Sequence, residues 1–270
     1  MEKICHIRGN KDYWNCLDVY PRFKSKKKFY RFFLAVKESW DEALNIPYLE
    51  FRKKIRDIVI RHMQEANYFT TILQDNQECK RYFSNNTKKN ILFYQQDDDD
   101  LFLGLRYKKL YNGVNVFQYS CIDPLGIRRK KGFHIHKNLR VVNNRTRIQS
   151  NQCLFIPDEI LHKDIINLNI WDSDHTDYDA LTSKHGYFFY KHPISLQIYH
   201  LHSISLWKSL FNNGQTEYTN TNILKNYVFQ YVEQLEEGII NNPKYKNQVI
   251  LLHLKNSLQE IINLYKQLIN

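Results

Sequence analysis

Four consecutive carboxylates, Asp97-Asp98-Asp99-Asp100, occur in a chain whose 39 basic and 28 acidic residues leave a formal net charge of +11. Carboxylates this close repel one another, and each is driven toward its protonated form unless a cation compensates. A divalent ion with a preference for oxygen donors is the usual compensator. Apolar residues bracket the run, Ile91-Leu92-Phe93-Tyr94 before it and Leu101-Phe102 after it. A merely solvated acidic loop seldom lies between two such segments. In extended backbone alternate side chains share a face, which would group Asp97 with Asp99 and Asp98 with Asp100. Far downstream, Ile194 to His202 alternates so that Ile194, Leu196, Ile198, His200 and His202 share one face. Aliphatic residues anchor that face, and two imidazoles emerge at its end. A neutral imidazole can join carboxylates on a metal or rest against a carbonyl. A second acidic cluster runs from Trp171 to Asp179, where Asp174 or Thr176 suits a helix N-cap.

The elements that must position these groups follow from the apolar pattern. Lys3 to Ile7 reads as a short first strand, and Asn90 to Tyr94 as a compact apolar strand that delivers the acidic run at its carboxyl end. In open α/β sheets that edge is where ligands bind. Helical spacing predicts helices over about 28–44 and over Tyr48 to Glu65, the latter with Leu49, Ile55, Ile58, Val59 and Met63 inward. Further strands are expected at Phe69–Leu73, Val114–Tyr119, Leu139–Val142, Gln152–Ile156, Tyr187–Tyr190 and Ile194–Leu201. Short helices are expected at Pro157–Leu161 and Asp177–Lys184. The chain then changes character: helical periodicity over Asn222–Gly238 and Asn247–Leu268, broken at Gly238 and Pro243, predicts a C-terminal helical pair. The expected class is α/β, with that pair packed against a central sheet.

Composition narrows the function. Eight glycines and no glycine-rich phosphate loop argue against a Rossmann dehydrogenase or a P-loop NTPase. Five scattered cysteines with no C-x-x-C argue against a disulfide framework or a cysteine zinc site and suit a reducing cytoplasm. Met1 to Asn10 holds no signal-peptide core, and no apolar stretch reaches the roughly 20 residues of a membrane helix. The basic balance favours anionic partners: nucleic acid, a phosphorylated small molecule or an acidic membrane. Pro21 to Phe33 mixes six basic residues with Phe23, Phe29, Tyr30, Phe32 and Phe33, a composition that suits an anionic headgroup region or the solvated face of a helix. His134 and His136 follow Arg128-Arg129-Lys130-Lys131, so anion contact or a solvated basic hairpin suits them better than a metal.

The strand Ile91-Leu92-Phe93-Tyr94 with Gln95-Gln96-Asp97-Asp98-Asp99-Asp100-Leu101 resembles the D-x-D region of glycosyltransferases with the GT-A fold, in the D-x-D-D form of bacterial polysaccharide enzymes. The resemblance spans roughly Lys3 to Leu206. It implies a GT-A-like central mixed sheet flanked by helices over residues 1–215 as the catalytic domain, and a helical extension over 216–270. It implies that Asp97 and Asp98, with Arg8 at the end of the first strand, contact the nucleotide donor. Asp99 and Asp100 would ligate Mn or Mg, with His200 completing the site, and the register within the run stays open by one residue. An inverting transfer needs a general base, for which Asp174 and Asp177 are candidates. Asn151, Gln152 and His202 are candidate contacts to sugar or acceptor hydroxyls. The implied donor is a nucleotide sugar, a UDP-sugar first. The implied acceptor is a glycan or lipid-linked molecule, with peripheral contact to an anionic membrane from the cytoplasmic side and no nucleic-acid partner.

Two other functions use the same residues. A Mg-dependent nuclease or nucleotidyltransferase also needs grouped carboxylates on a basic protein, and would bind nucleic acid with strong salt dependence. A non-enzymatic binding protein would respond to no nucleotide with metal.

Overall fold

The first strand and the strand that leads into the acidic run lie side by side, and each carries consecutive residues that bury on both faces of the sheet. The computed structural model describes residues 1–8, 37–86, 90–98, 100–102, 109–117, 120–123, 134–137, 153–172, 175–190, 196–198, 221–241 and 249–270. Along the chain come β1 (Glu2–Arg8), α1 (Tyr48–Glu65), β2 (Thr71–Leu73), α2 (Asn76–Asn85) and β3 (Ile91–Asp97). Then follow β4 (Leu101–Phe102), β5 (Gly113–Phe117), β6 (Ser120–Asp123), β7 (His134–Lys137) and β8 (Cys153–Ile156). After them come α3 (Glu159–Asn167), α4 (His175–His185), β9 (Phe188–Tyr190), β10 (Leu196–Ile198), α5 (Thr221–Leu235) and α6 (Val249–Gln267). Residues 37–43 are also helical. Among the described residues, no helix is long and apolar enough to cross a membrane.

Six strands form a mixed sheet in the order β2-β1-β3-β8-β5-β9. Strand β1 pairs in parallel with both β2 and β3, whereas β8 runs antiparallel to β3 and β5, and β9 is parallel to β5. The β1–β3 ladder extends from Glu2↔Ile91 to Arg8↔Asp97, so β3 runs three residues beyond the apolar segment and includes the first aspartate. A second sheet has the order β4-β10-β6-β7. Its strands are two to four residues long, and β10 falls within the predicted strand Ile194–Leu201. The predicted strand over Leu139–Val142 and the basic segment over Pro21–Phe33 lie outside the described residues.

Alternation along the central strands divides the interior in two. Cys5, Ile7, Leu92, Tyr94, Leu154 and Ile156 face a cluster filled by α1, α5 and α6. Ile4, Ile91, Phe93, Cys153 and Phe155 face the other cluster, closed by α2, α3 and α4. The C-terminal helices therefore share a continuous apolar cluster with one face of the sheet. Helix α1 has the predicted limits, but Leu49 points to solvent, because the buried stripe runs through Tyr48, Phe51, Ile55, Ile58, Val59 and Met63.

Helix α2 escapes the apolar pattern because Cys79 and Phe83 alone anchor it. Its start is fixed locally, with the Asp75 carboxylate accepting from the Glu78 N–H and the Glu78 carboxylate accepting from the Gln74 N–H. Phe83 then meets Phe93 edge-on at 4.9 Å between ring centroids and stacks on Trp171 at 5.8 Å. Phe83→Ala should lower the unfolding free energy by about 3–5 kcal/mol in urea titration, a loss that a surface-lying α2 would not produce.

Candidate functional site

The candidate edge is built where β1 and β3 end together. The chain places β2 on one side of β1 and then crosses to place β3 on the other. This reversal is a topological switch point, of the kind that in open α/β sheets places a ligand-binding crevice outside the carboxyl ends of the strands. The residues delivered there are His6 and Arg8 from β1, and Gln95, Gln96, Asp97, Asp98 and Asp100 from β3 and the turn after it.

Each of the described aspartates has a defined setting. Asp97 lies opposite Arg8 in the ladder, and the Arg8 Nε–H donates to Asp97 Oδ1 at 2.6 Å in a half-exposed pair. Asp98 turns toward α1 instead, where Arg52 donates to its Oδ2 at 2.8 Å and Arg56 approaches to 3.8 Å. Both side chains of the Arg52–Asp98 pair are over nine-tenths buried. Asp100 is buried at 2% exposure. The alternation expected through all four aspartates ends at Asp97. The Asp98 N–H still donates to the Arg8 carbonyl, but the Asp100 N–H turns back to the Asp97 carbonyl, which closes a turn.

Around these charges lie polar groups that the apolar pattern does not reveal. Tyr178 of α4 donates its hydroxyl to Gln95 Oε1 at 2.5 Å, and Gln95 Nε2 donates to the Trp171 carbonyl at 3.3 Å. Burial holds the Tyr178 hydroxyl far above its ordinary range, so it is a donor at every physiological pH. Gln96 Nε2 donates to the Asp100 carbonyl at 3.3 Å, while its Oε1 is buried with no hydrogen-bond partner among the described residues. His6 is fully buried, and among the described residues neither ring nitrogen has a hydrogen-bond partner. Burial first, and then the charges of Arg8 and Arg56, lower its pKa to about 3. Burial likewise lowers Arg56, partly offset by Asp98.

The structure brings several predicted site residues to this edge. Arg8, Asp97, Asp98 and Asp100 meet at it directly. Asp177 lies in the first turn of α4, next to the Tyr178 that reaches Gln95. The strand expected to carry histidines is also close: β10 pairs antiparallel with β4, with Ile198 opposite Leu101, the residue after Asp100. Asp99, Asn151, Gln152, Asp174, His200 and His202 lie outside the described residues. Among the described residues, no group of three or more His, Cys, Asp or Glu side chains is arranged to hold a metal ion. Asp97 and Asp98 already have arginine counter-charges, and Asp100 and Gln96 Oε1 add oxygen atoms at the turn, the donor type that hard cations take. Comparison with family models, curated proteins and solved structures finds no match.

Arg52, Arg56, His6, Gln95, Gln96 and Tyr178 are absent from the sequence-based candidates. The signal that could have found the arginines is their spacing: they fall one turn apart on the apolar stripe of α1, where a guanidinium needs a partner.

His6 has a calculable consequence. Its folded pKa of about 3 lies below the ordinary 6.5, so under mildly acidic conditions the unfolded chain takes up a proton that the folded chain refuses. Its share of stability is complete above 6.5 and is lost as pH falls from there toward 3, at roughly 1.4 kcal/mol per pH unit. In urea titrations between about pH 6 and about pH 4, His6→Leu should show a stability slope shallower than the parent by about that amount. Equal slopes would mean that the imidazole protonates in the folded state.

Proposed function

We propose that this chain is a glycosyltransferase, moving a sugar from a nucleotide-sugar donor to a glycan or lipid-linked acceptor on a GT-A-like sheet. The observation that carries the reading is the position of the acidic run, at the carboxyl end of β3 and beside the end of β1, where the order of strand connection reverses. An acidic run placed elsewhere would not favour an enzyme over a solvated loop. The pairing of β10 onto β4 supports the same reading, since it draws the strand before His200 to the residues that follow Asp100.

The roles follow from chemistry. Arg8, with its partner Asp97, edges the crevice and suits the ribose and phosphates of a donor. Asp99 and Asp100 would hold Mn or Mg, with His200 as the third candidate, and the ion would supply counter-charge to the diphosphate as it leaves. Asp174 and Asp177 bracket the start of α4, whose Tyr178 contacts β3, and are the candidates to accept the acceptor's proton in an inverting transfer. Asn151, Gln152 and His202 suit sugar hydroxyls. The net charge of +11 favours a phosphorylated donor and an anionic membrane surface at which lipid-linked acceptors reside.

The test is a thermal-shift panel of UDP, GDP, CMP and their sugars, with and without Mn²⁺. One nucleotide should stabilise the protein with metal and not without it, by about 2.7 kcal/mol at a hundredfold excess over Kd. Asp99→Asn should remove that shift and leave ligand-free unfolding unchanged. A chain that no nucleotide stabilises in the presence of Mn²⁺ or Mg²⁺, yet that binds DNA or RNA in a salt-dependent way, would sink this assignment in favour of phosphoryl chemistry.

A further inference from the structure

Among the described residues β9 ends the strand order of the six-stranded sheet, and this edge is aromatic. Phe188 and Phe189 are 44% and 45% exposed, and Tyr111 beside them is 41% exposed. Large rings left this accessible together mark a contact surface. They are also held in place. Tyr111 stacks on Phe188 at 4.5 Å between ring centroids. The buried Asn115 of β5 fixes the segment that carries Tyr111: its Oδ1 accepts from the Tyr111 N–H at 3.1 Å, and its Nδ2 donates to the Tyr111 carbonyl at 2.8 Å. The same Oδ1 accepts from the Tyr190 hydroxyl at 3.0 Å. A ligand therefore meets a preformed surface and does not have to order it. Lys109 supplies the charge. Its ammonium lies 5.0 Å from the Tyr111 ring centroid, and no carboxylate among the described residues pairs with it.

Strand direction relates this surface to the acidic run. Strand β8 is antiparallel to β3 and to β5, and β9 is parallel to β5, so β9 runs the same way as β3. The registers Tyr94↔Leu154, Leu154↔Asn115 and Asn115↔Phe188 set Phe188 level with Tyr94. Phe188 thus stands about 14 Å across the strands from β3, and about 10 Å short of the level of Asp97.

We propose, resting on the glycosyltransferase reading, that Tyr111, Phe188 and Lys109 form the docking surface for the acceptor, and that this acceptor is an anionic glycan. A sugar ring turns a face of polarised C–H groups toward the electron-rich face of an aromatic ring. A carboxylate on the same glycan draws the Lys109 ammonium off the Tyr111 ring, which uncovers that ring for the sugar. A glycan of a few units lying on β9 spans the distance to the carboxyl ends of β1 and β3.

Calorimetry without donor tests this, using a hyaluronan hexasaccharide, which carries carboxylates, and a chitin hexasaccharide, which carries none. The parent should bind the hyaluronan oligosaccharide more tightly, and added salt should remove the difference. Tyr111→Ala should weaken both at least tenfold with the ligand-free Tm little changed, because Asn115 holds the backbone there. Lys109→Gln, an exposed substitution that keeps the fold, should weaken hyaluronan at least fivefold and leave chitin within twofold of the parent. Phe229→Ala, which removes an exposed ring of α5, should match the parent. A parent that prefers the chitin oligosaccharide or binds neither overturns the proposal. So does parent-like binding in Tyr111→Ala or Lys109→Gln, or an equal loss in Phe229→Ala. A thymidine oligonucleotide bound more tightly than either glycan and lost in Tyr111→Ala also overturns it, in favour of single-stranded nucleic acid. A parent stabilised by a nucleotide with Mn²⁺ that binds no glycan overturns this inference alone. A parent that binds the glycan but no nucleotide overturns the transferase reading, and the acceptor role with it.

Discussion

The burial of two arginines under an otherwise apolar helix face is the constraint around which this edge of the protein is organised. Once α1 packs its stripe of Tyr48, Phe51, Ile55 and Val59 against the sheet, Arg52 and Arg56 go with it. Their charges then require an anion that is equally buried, and Asp98 meets that requirement. From this follows the direction of the Asp98 side chain, beside the turn that returns the Asp100 N–H to the Asp97 carbonyl. Ion pairs of this kind contribute little net stability against an apolar alternative, and their value lies in allowing one arrangement and penalising others.

On the opposite face of the same strands, neutral groups lie next to the Arg8–Asp97 pair. Gln95 is held between the Tyr178 hydroxyl and the Trp171 carbonyl, and His6 remains an uncharged imidazole because burial and two neighbouring arginines oppose its protonation. Fully buried charge therefore lies on the α1 side in the Arg52–Asp98 pair, while the α4 side carries hydroxyl, amide and imidazole beside the half-exposed Arg8–Asp97 pair.

Much of the frame was legible in the sequence, for reasons that differ by element. The limits of α1 and the existence of β1, β3, β8, α5 and α6 follow from long apolar patterns that the interior confirms. Helix α2 was missed because two inward residues make no stripe, although Asp75 and Glu78 form a recognisable start signal. The second sheet was missed as a unit, since strands as short as Leu101–Phe102 exist only through their partners. Within the site, the acidic run stood out by its composition. Arg52 and Arg56 did not, because an arginine in a helix reads as solvent-facing until its angular position is set against its neighbours. Gln95 was hidden because a polar residue at the end of an apolar strand looks like its boundary, and here it is part of the buried length; His6 lay inside the predicted strand, but its burial depends on both faces being covered.

The pairing of β4 with β10 joins Leu101 and Phe102 to residues from the opposite half of the chain. Such a contact closes a long loop, and its entropy must be overcome before the contact returns any free energy. The parallel β1–β3 ladder and the arginine-bearing helix involve the first hundred residues alone and can form while the histidine strand is still free. Contacts of such short separation cost less loop entropy than the β4–β10 pairing, which draws Leu101 and Ile198 together across almost a hundred residues.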